Sequence, residues 1–314
     1  TYNAGIDFGF FKSRITGTFD YYHRVTNDLL NVVDIPMGTN FSNRVVSNIG
    51  TMENNGFELA LNGRIISKKD ISWEVGLNLT HNNSKILKLT TGTGEGYYVG
   101  VGGISSGVGT NIQAHAVGYP AYSFHVYKQK YDDNGKPLEG EFEDLNKDEI
   151  INSDDLYYYK SPAPDLLAGL SSKFIYKNFD FSFSLRSSIG NYMYNDRASS
   201  SHNMSDTGIY STSGSFSNKP ASALVTNFTG NKTNAHMSDY YVQNASFLRV
   251  DNVTAGYSFT KLFDVISEAR IYATVQNPFV YSKYSGLDPE KFDGIDNDLY
   301  PRPMISMIGV SLKF

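Results

Sequence analysis

From 178 to 190 the chain reads NFDFSFSLRSSIG, and its residues alternate in character. Phe179, Phe181, Phe183, Leu185 and Ile189 fall on one side, and Asp180, Ser182, Ser184, Arg186 and Ser188 on the other. A period of two over a dozen residues is the signature of an extended strand with one apolar and one polar face. A dozen residues is long for a soluble strand but suits a tilted crossing of a bilayer. Arg186 orients the strand. An arginine facing lipid near the midplane costs about 2–4 kcal/mol, so the arginine face must look into water and the phenylalanines outward.

The pattern recurs. Segments 3–11, 14–31, 53–66, 71–80, 111–117, 121–131, 166–176, 179–190, 247–259, 269–281 and 304–314 read as strands, eleven in all. In 53–66, Phe57, Leu59, Leu61 and Ile65 oppose Glu58, Asn62 and Arg64; in 71–80, Ile71, Trp73, Val75, Leu77 and Leu79 oppose Ser72, Glu74, Asn78 and Thr80. The connections alternate in length. Short ones are expected at 12–13, 67–70, 118–120, 177–178 and 260–268, and long ones at 32–52, 81–110, 132–165, 191–245 and 282–303. Segment 92–109 is glycine-rich and reads as a loop, and 191–239 reads as a long, mobile, unpatterned one. Brief turns at one end and long loops at the other are how outer-membrane barrels are strung. The expected fold class is therefore all-β, an antiparallel transmembrane β-barrel wall.

Composition sharpens this picture. Aromatics make up 14% of the 314 residues although mean hydropathy is −0.34. That pairing fits an aromatic-girdled barrel with a polar lumen. No run of 18 apolar residues is present, so no transmembrane helix is expected. The net charge of −5 argues against a nucleic-acid partner, and the lack of cysteine excludes a disulfide scaffold and cysteine zinc sites. An open eleven-strand sheet in lipid would leave about ten unpaired backbone groups at its edges, on the order of tens of kcal/mol. With Thr1 an unusual start, the chain reads as about half of a larger barrel.

Several stretches resemble the SusC/RagA-type TonB-dependent transporters of Bacteroidetes outer membranes. They are 54–89 (NNGFELALNGRIISKKDISWEVGLNLTHNNSKILKL), 117–124 (VGYPAYSF), 161–190, 241–259 (YVQNASFLRVDNVTAGYSF), 277–290 (NPFVYSKYSGLDPE) and 294–314. The resemblance implies that residues 1–314 are the C-terminal half of a barrel of about 22 strands. It places the plug domain, the TonB-contacting segment and the first strands outside this chain. It further implies a nutrient importer of the outer membrane that takes up oligosaccharide or peptide cargo. A SusD-like lipoprotein would form the lid, TonB would supply energy through the plug, and Phe314 resembles the terminal aromatic read by the assembly machinery. A soluble β-rich surface adhesin or carbohydrate-binding module is the alternative reading.

The candidate chemistry is sparse. Asp144, Asn146, Asp148, Ile150, Asn152 and Asp155 have the 1, 3, 5, 7, 9, 12 spacing of a calcium loop, which would make calcium the one cofactor. Glu149 stands where glycine is expected and Asp155 where glutamate is usual; a solvated acidic loop is the alternative. Asp288, Glu290, Asp293, Asp296 and Asp298 crowd the last long loop, where turn chemistry also favours them. Gly103-Ile104-Ser105-Ser106-Gly107 matches G-x-S-x-G but lacks the strand–turn–helix setting of a nucleophile elbow. The six histidines show no metal spacing, so no enzyme is expected. Tyr157, Tyr158, Tyr159, Tyr192, Tyr194 and Tyr210 flank the outer loops, where girdle or packing roles account for most of them.

Overall fold

The computed structural model describes the chain except residues 35–37, 39–40, 43, 90–95, 106–108, 203, 205–217, 231, 233, 264 and 298. Its strands are β1 (Tyr2–Phe10), β2 (Ile15–Asp34), β3 (Arg44–Lys68), β4 (Ile71–Lys88), β5 (Tyr98–Gly103), β6 (Asn111–Ala116), β7 (Ser123–Tyr127), β8 (Gln129–Tyr131), β9 (Pro137–Phe142), β10 (Leu156–Tyr158), β11 (Leu166–Tyr176), β12 (Phe179–Ile189), β13 (Tyr192–Tyr194), β14 (Val242–Asn244), β15 (Phe247–Phe263), β16 (Ile266–Ser282) and β17 (Ile305–Lys313). Nine of them form one sheet in the order β1-β2-β3-β4-β11-β12-β15-β16-β17, every neighbour antiparallel. This sheet is the wall.

The wall therefore has nine strands where the alternation pointed to eleven. Segments 111–117 and 121–131 do form strands, but β6 and β7 lie in a separate four-stranded sheet, β10-β7-β6-β5. The physical reason is burial on both faces. All five residues of β7 are buried, and β6 buries Ile112, Gln113, Ala114 and Ala116. Five or six residues are also too few to cross a bilayer. Residues 118–120 accordingly turn within this outer cap. Because two strands leave the wall together, the chain direction at its last strand is unchanged.

Cross-strand register carries the two-faced pattern over the whole wall. One outward row runs Phe181–Ala255–Ala273–Ile308, and the next runs Phe179–Tyr257–Ile271–Val310. These side chains meet no second sheet: Phe179 is 60% exposed and Ile308 85%. So broad an apolar surface is untenable in water and natural against acyl chains. A polar group on this face can be paired within it. Ser172 of β11 accepts a hydrogen bond from the Trp73 indole at 3.0 Å. The inward row Asp180–Gly256–Tyr272–Gly309 carries an ion pair, with Arg270 donating to both Asp180 oxygens at 2.8 and 2.5 Å. Gly256 leaves room for it, since a Cβ there would lie 2.6 Å from atoms of both partners.

The short turns fall at one end, between β1 and β2, β3 and β4, β11 and β12, and β15 and β16. The long connections gather at the other end and fold. Segment 92–109 contains β5, 132–164 contains β9 and β10, and 191–239 contains β13 and the helices Asp196–Ser201 and Ser222–Thr226. The hydrophobic core lies in this cap. Ile112, Phe124, Val126, Tyr194, Phe228, Tyr241, Val242 and Ile295 pack together there, all buried. The described part of 191–239 is thus a structural half of the cap rather than the mobile loop expected.

Gly256→Val is expected to separate Asp180 from Arg270 and destabilise the wall by about 1–3 kcal/mol, as overpacking does. The check is the denaturant midpoint in detergent, which should fall; an unchanged midpoint contradicts the role given to this glycine.

Candidate functional site

Where the polar face of β12 and β15 meets the cap, the alternation slips by one residue. Leu185 pairs with Val250 but Ser184 with Asn252, so Asp251 is the extra residue of a β-bulge. Arg249, Asp251 and Asn252 all reach the inner side as a result, which a regular strand would forbid. Arg186 Nε donates to Asp251 Oδ1 at 2.7 Å, and its Nη1 donates to Glu290. Arg249 Nη2 donates to Asp288 Oδ1 at 2.6 Å, with both side chains almost wholly buried, and its Nε lies 3.4 Å from Glu290 Oε2. Arg302 Nη1 lies 2.7 Å from the same oxygen. Three guanidiniums face three carboxylates, so the cluster is neutral. Burial of such a group is tolerated only when every charge is compensated.

This cluster moors the loop 283–304 to the wall, while the other half of that loop is built into the cap. Ile295 sits in the cap core, Gln113 Nε2 donates to the Asp293 carbonyl at 2.7 Å, and the Asp296 amide donates to the Tyr194 carbonyl at 2.9 Å. Asp296 is fully buried and accepts from Tyr284 Oη at 2.9 Å and from the Leu287 amide at 3.1 Å. Burial, with the Asp296 charge added, drives the Tyr284 hydroxyl far above the usual phenol range. Of the five acidic residues of this loop, Asp288 and Glu290 join the wall and Asp293 and Asp296 the cap. Asp298 lies outside the described residues.

Beneath the moored loop is a cavity of about 920 Å³ on the polar side of the wall. Its floor is Gly169, Arg186 and Ser188, with Asn54, Asn78, Thr80 and Ser84 of β3 and β4 along one flank. Tyr122 and Phe292 close it from the cap, their rings 6.4 Å apart and nearly perpendicular. Phe292 is 91% exposed, and Tyr122 holds a left-handed backbone at φ +61°. A bulky residue in that region is strained, and strain of this kind gathers at functional sites.

The calcium-spaced residues lie together on the cap, their oxygens closed onto the loop's own amides. Asp144 accepts from the Lys147 and Glu149 amides at 2.6 and 2.8 Å, Asn146 from Asp148 at 3.0 Å, and Asp148 from Ile150 at 2.8 Å. Asn152 and Asp155 form a reciprocal capping box, and buried Asp155 also accepts from the Leu145 amide at 2.8 Å. Glu149 takes φ +66°, the conformation for which glycine is usual at that position. Among the described residues no three His, Cys, Asp or Glu side chains are grouped as metal ligands.

The other singled-out residues are structural. Tyr157 donates to Asp239 at 2.5 Å, Tyr158 stacks on His125 at 4.6 Å, Tyr159 and Tyr192 meet edge-on at 6.2 Å, and Tyr194 donates to the His236 carbonyl at 2.6 Å. Tyr210 lies outside the described residues. Ser105 is bound by Asp196, Ile104 packs on the cap core, and Ser106 and Gly107 lie outside the described residues. Strict alternation alone does not single out Arg249 and Asp251. The signal was there: Arg249-Val250-Asp251-Asn252 places one polar residue too many for strict alternation.

The Asn152 amide first, then those of Leu145 and Asn146, hold the Asp155 carboxyl below the usual carboxylate range. An acid so depressed contributes stability that is complete above its unfolded value and lost as pH falls through its folded one. Protection of the Leu145 and Asn152 amides from hydrogen exchange is expected to persist at neutral pH and decline below about pH 4. Asp155→Asn should show the weaker protection at neutral pH too, and protection independent of both changes contradicts this assignment.

No protein-family model matches the chain. It is 51% identical to the TonB-dependent receptor SusC of Bacteroides thetaiotaomicron over 319 residues, covering all of this chain and 32% of that protein. It is 26% identical to the TonB-dependent receptor P3 of Formosa agariphila, covering 99% of the chain and 34% of the relative. Among solved structures, the RagAB peptide transporter aligns with a TM-score of 0.76 at 23% identity, covering 99% of this chain and 35% of that one. The RagAB peptide importer in its open-open state aligns at 0.79 and 24% identity, covering 99% and 34%. These two likenesses establish the fold, and the chain spans about a third of the length of the curated relatives it matches. Its strand register, its two-faced wall and its 51% identity to SusC over the whole of this chain agree: the chain is SusC/RagA-like, matching about a third of a TonB-dependent receptor of the outer membrane.

Proposed function

We propose that this chain supplies barrel wall and outer cap to a nutrient importer of the outer membrane, one that takes up oligosaccharides or peptides. The observation that carries the reading is the wall itself, apolar towards lipid and polar on the face that bears an open cavity of about 920 Å³. The 51% identity to SusC supports it. Transport rather than catalysis is the role. The edges of the sheet support a larger barrel: β1 and β17 each pair on one side among the described residues. In lipid the free edge groups would cost several kcal/mol each, so further strands of the same receptor complete the wall around a plug. A SusD-like lipoprotein covers the cap, and TonB acts through the plug. The soluble adhesin or carbohydrate-binding module would leave the apolar face without a solvent.

The loop 144–155 belongs to the same reading as a calcium loop on the outer face. The spacing of Asp144, Asn146, Asp148, Ile150, Asn152 and Asp155 supports it, as does the left-handed turn at Glu149. Loading requires the carboxylates to turn from the loop's amides to the ion.

The importer reading predicts that the whole receptor fractionates with outer membranes and is released only by detergent. Cells carrying it should accumulate labelled oligosaccharide or peptide, and a protonophore should abolish that uptake. Release by a plain buffer wash, or uptake indifferent to the protonophore, contradicts it. For the loop, calorimetry should give a calcium heat that Asp148→Ala removes and Glu149→Gly enlarges, the latter also stabilising the apo loop by about 1 kcal/mol. The lack of any calcium heat contradicts that part.

A further inference from the structure

The outward face of the middle of the wall stays outermost however the barrel is completed. β4, β11, β12, β15 and β16 are each paired on both sides within this chain, so further strands join beyond β1 and β17. Whatever the barrel encloses lies on the opposite, polar face. The height of the lipid can be read on this outward side. β12 has 11 residues, which at a rise of ~3.3 Å and a tilt of roughly 40° span about 25 Å, the height of an apolar band. It runs from Phe179 at the short-turn end to Ile189. On the neighbouring strands the last ring-bearing row is Tyr21–Phe57–His81, and the row above it is His23–Asn55–Asn83. Ile189 therefore stands where acyl chains give way to headgroups.

At that level a niche of about 470 Å³ opens between wall and cap, lined by Tyr119, Tyr158, Lys160, Ile189, Tyr192 and Ser246 among others. Backbone hydrogen bonds hold its frame. The Ile86 amide donates to the Tyr119 carbonyl at 3.0 Å, and the Phe124 amide to the Lys160 carbonyl at 2.7 Å. The Gly190 amide donates to Ser246 Oγ at 2.9 Å. The Tyr119 and Tyr158 rings lie 4.1 Å apart, and Lys160 Nζ is 5.2 Å from the Tyr192 ring and 5.8 Å from that of Tyr159. Two further lysines flank the niche along the chain. Lys85 adjoins Ile86, and Lys283 is one residue beyond the Phe247–Ser282 pair, opposite Ser246. All three lysines are exposed, and none has an ion-pair partner among the described residues. Two acids are near. Glu53 faces Lys85 in the register but lies 3.4 Å from His23, and Asp165 is the one carboxylate among the described residues lining the niche.

We propose that this niche holds the phosphorylated headgroup of an outer-leaflet glycolipid, with Lys85, Lys160 and Lys283 meeting its phosphate and the tyrosines its sugar. Three cations without carboxylate partners at headgroup height call for an anion there, and each lysine near a charged lipid surface is worth roughly fivefold in affinity. The height selects a lipid over a free anion. Ile189 at the lower rim meets acyl chains, while tyrosine rings, apolar in body and polar at the tip, suit the interface above it. A second copy of this chain is matched less well, because a two-fold contact would set these lysines against their own images. The inference uses the lipid-facing assignment of the wall and is independent of the cargo.

The test uses the whole receptor, stripped of lipid in detergent and titrated with bisphosphorylated lipid A, with the same lipid after phosphatase treatment, and with inorganic phosphate. Lipid A should bind, and removal of its phosphates should weaken binding roughly tenfold or more. Lys85→Gln, Lys160→Gln and Lys283→Gln should each cost about fivefold, and together on the order of a hundredfold. Lys160→Arg should retain affinity, which separates loss of charge from loss of fold. Lipid A affinity that is indifferent to the phosphatase, or to the triple variant, overturns the site. Inorganic phosphate bound as tightly as lipid A makes it a free-anion site and overturns the lipid assignment. A triple variant that binds lipid A as before but no longer self-associates makes this face a contact between copies, which overturns it too.

Discussion

The lipid bilayer offers no hydrogen bonds, and that constraint organises this molecule. Every backbone amide and carbonyl that crosses must be met by a neighbouring strand. The seven inner wall strands satisfy it by antiparallel pairing on both sides, in sequence order except where the chain leaves the membrane to build the cap, and β1 and β17 satisfy it on one side among the described residues. Side chains follow from the same constraint. Outward positions are mostly aliphatic or aromatic, and Ser172 among them has the Trp73 indole as its partner. Inward positions hold charges in pairs, such as Asp180 with Arg270.

A wall with water on one side and lipid on the other has no dry interior, so the hydrophobic core had to form elsewhere. It forms from the long connections. The cap gathers residues from across the chain, Ile112 to Ile295, into one buried cluster. One loop then joins cap to wall, contributing Ile295 to the core and Asp288 and Glu290 to the guanidiniums of Arg249, Arg186 and Arg302. The cavity lies where these two solvation regimes meet, which is why its walls differ in character.

Much of the wall was legible in the sequence. Strands that face two solvents alternate, so 179–190, 71–80 and the final hairpins could be read residue by residue, and Arg186 gave the orientation. The cap was less legible. A strand buried on both faces, such as Ser123–Tyr127, has no alternation to mark its face, so from sequence β6 and β7 cannot be told from wall strands. The order within 191–239 comes from contacts distant in sequence, such as Tyr194 with Ile295. The acidic residues of 283–304 were visible as a crowd, yet their division between wall and cap depends on Arg249, which a bulge turns inward. Tyr122 and Phe292 carry no local mark at all; only folding brings the two rings together.

The central claim is that one face of these strands touches acyl chains and the other enclosed water. The chain has no cysteine, so single labels can be placed in it at will. Cysteines introduced at Phe181, Ser182, Ala273 and Thr274 in the membrane-embedded receptor would each carry a fluorophore. The probes at Phe181 and Ala273 should be quenched by lipid-borne nitroxides, and those at Ser182 and Thr274 by a water-soluble quencher instead. Equal access of the water-soluble quencher to all four positions would contradict the account.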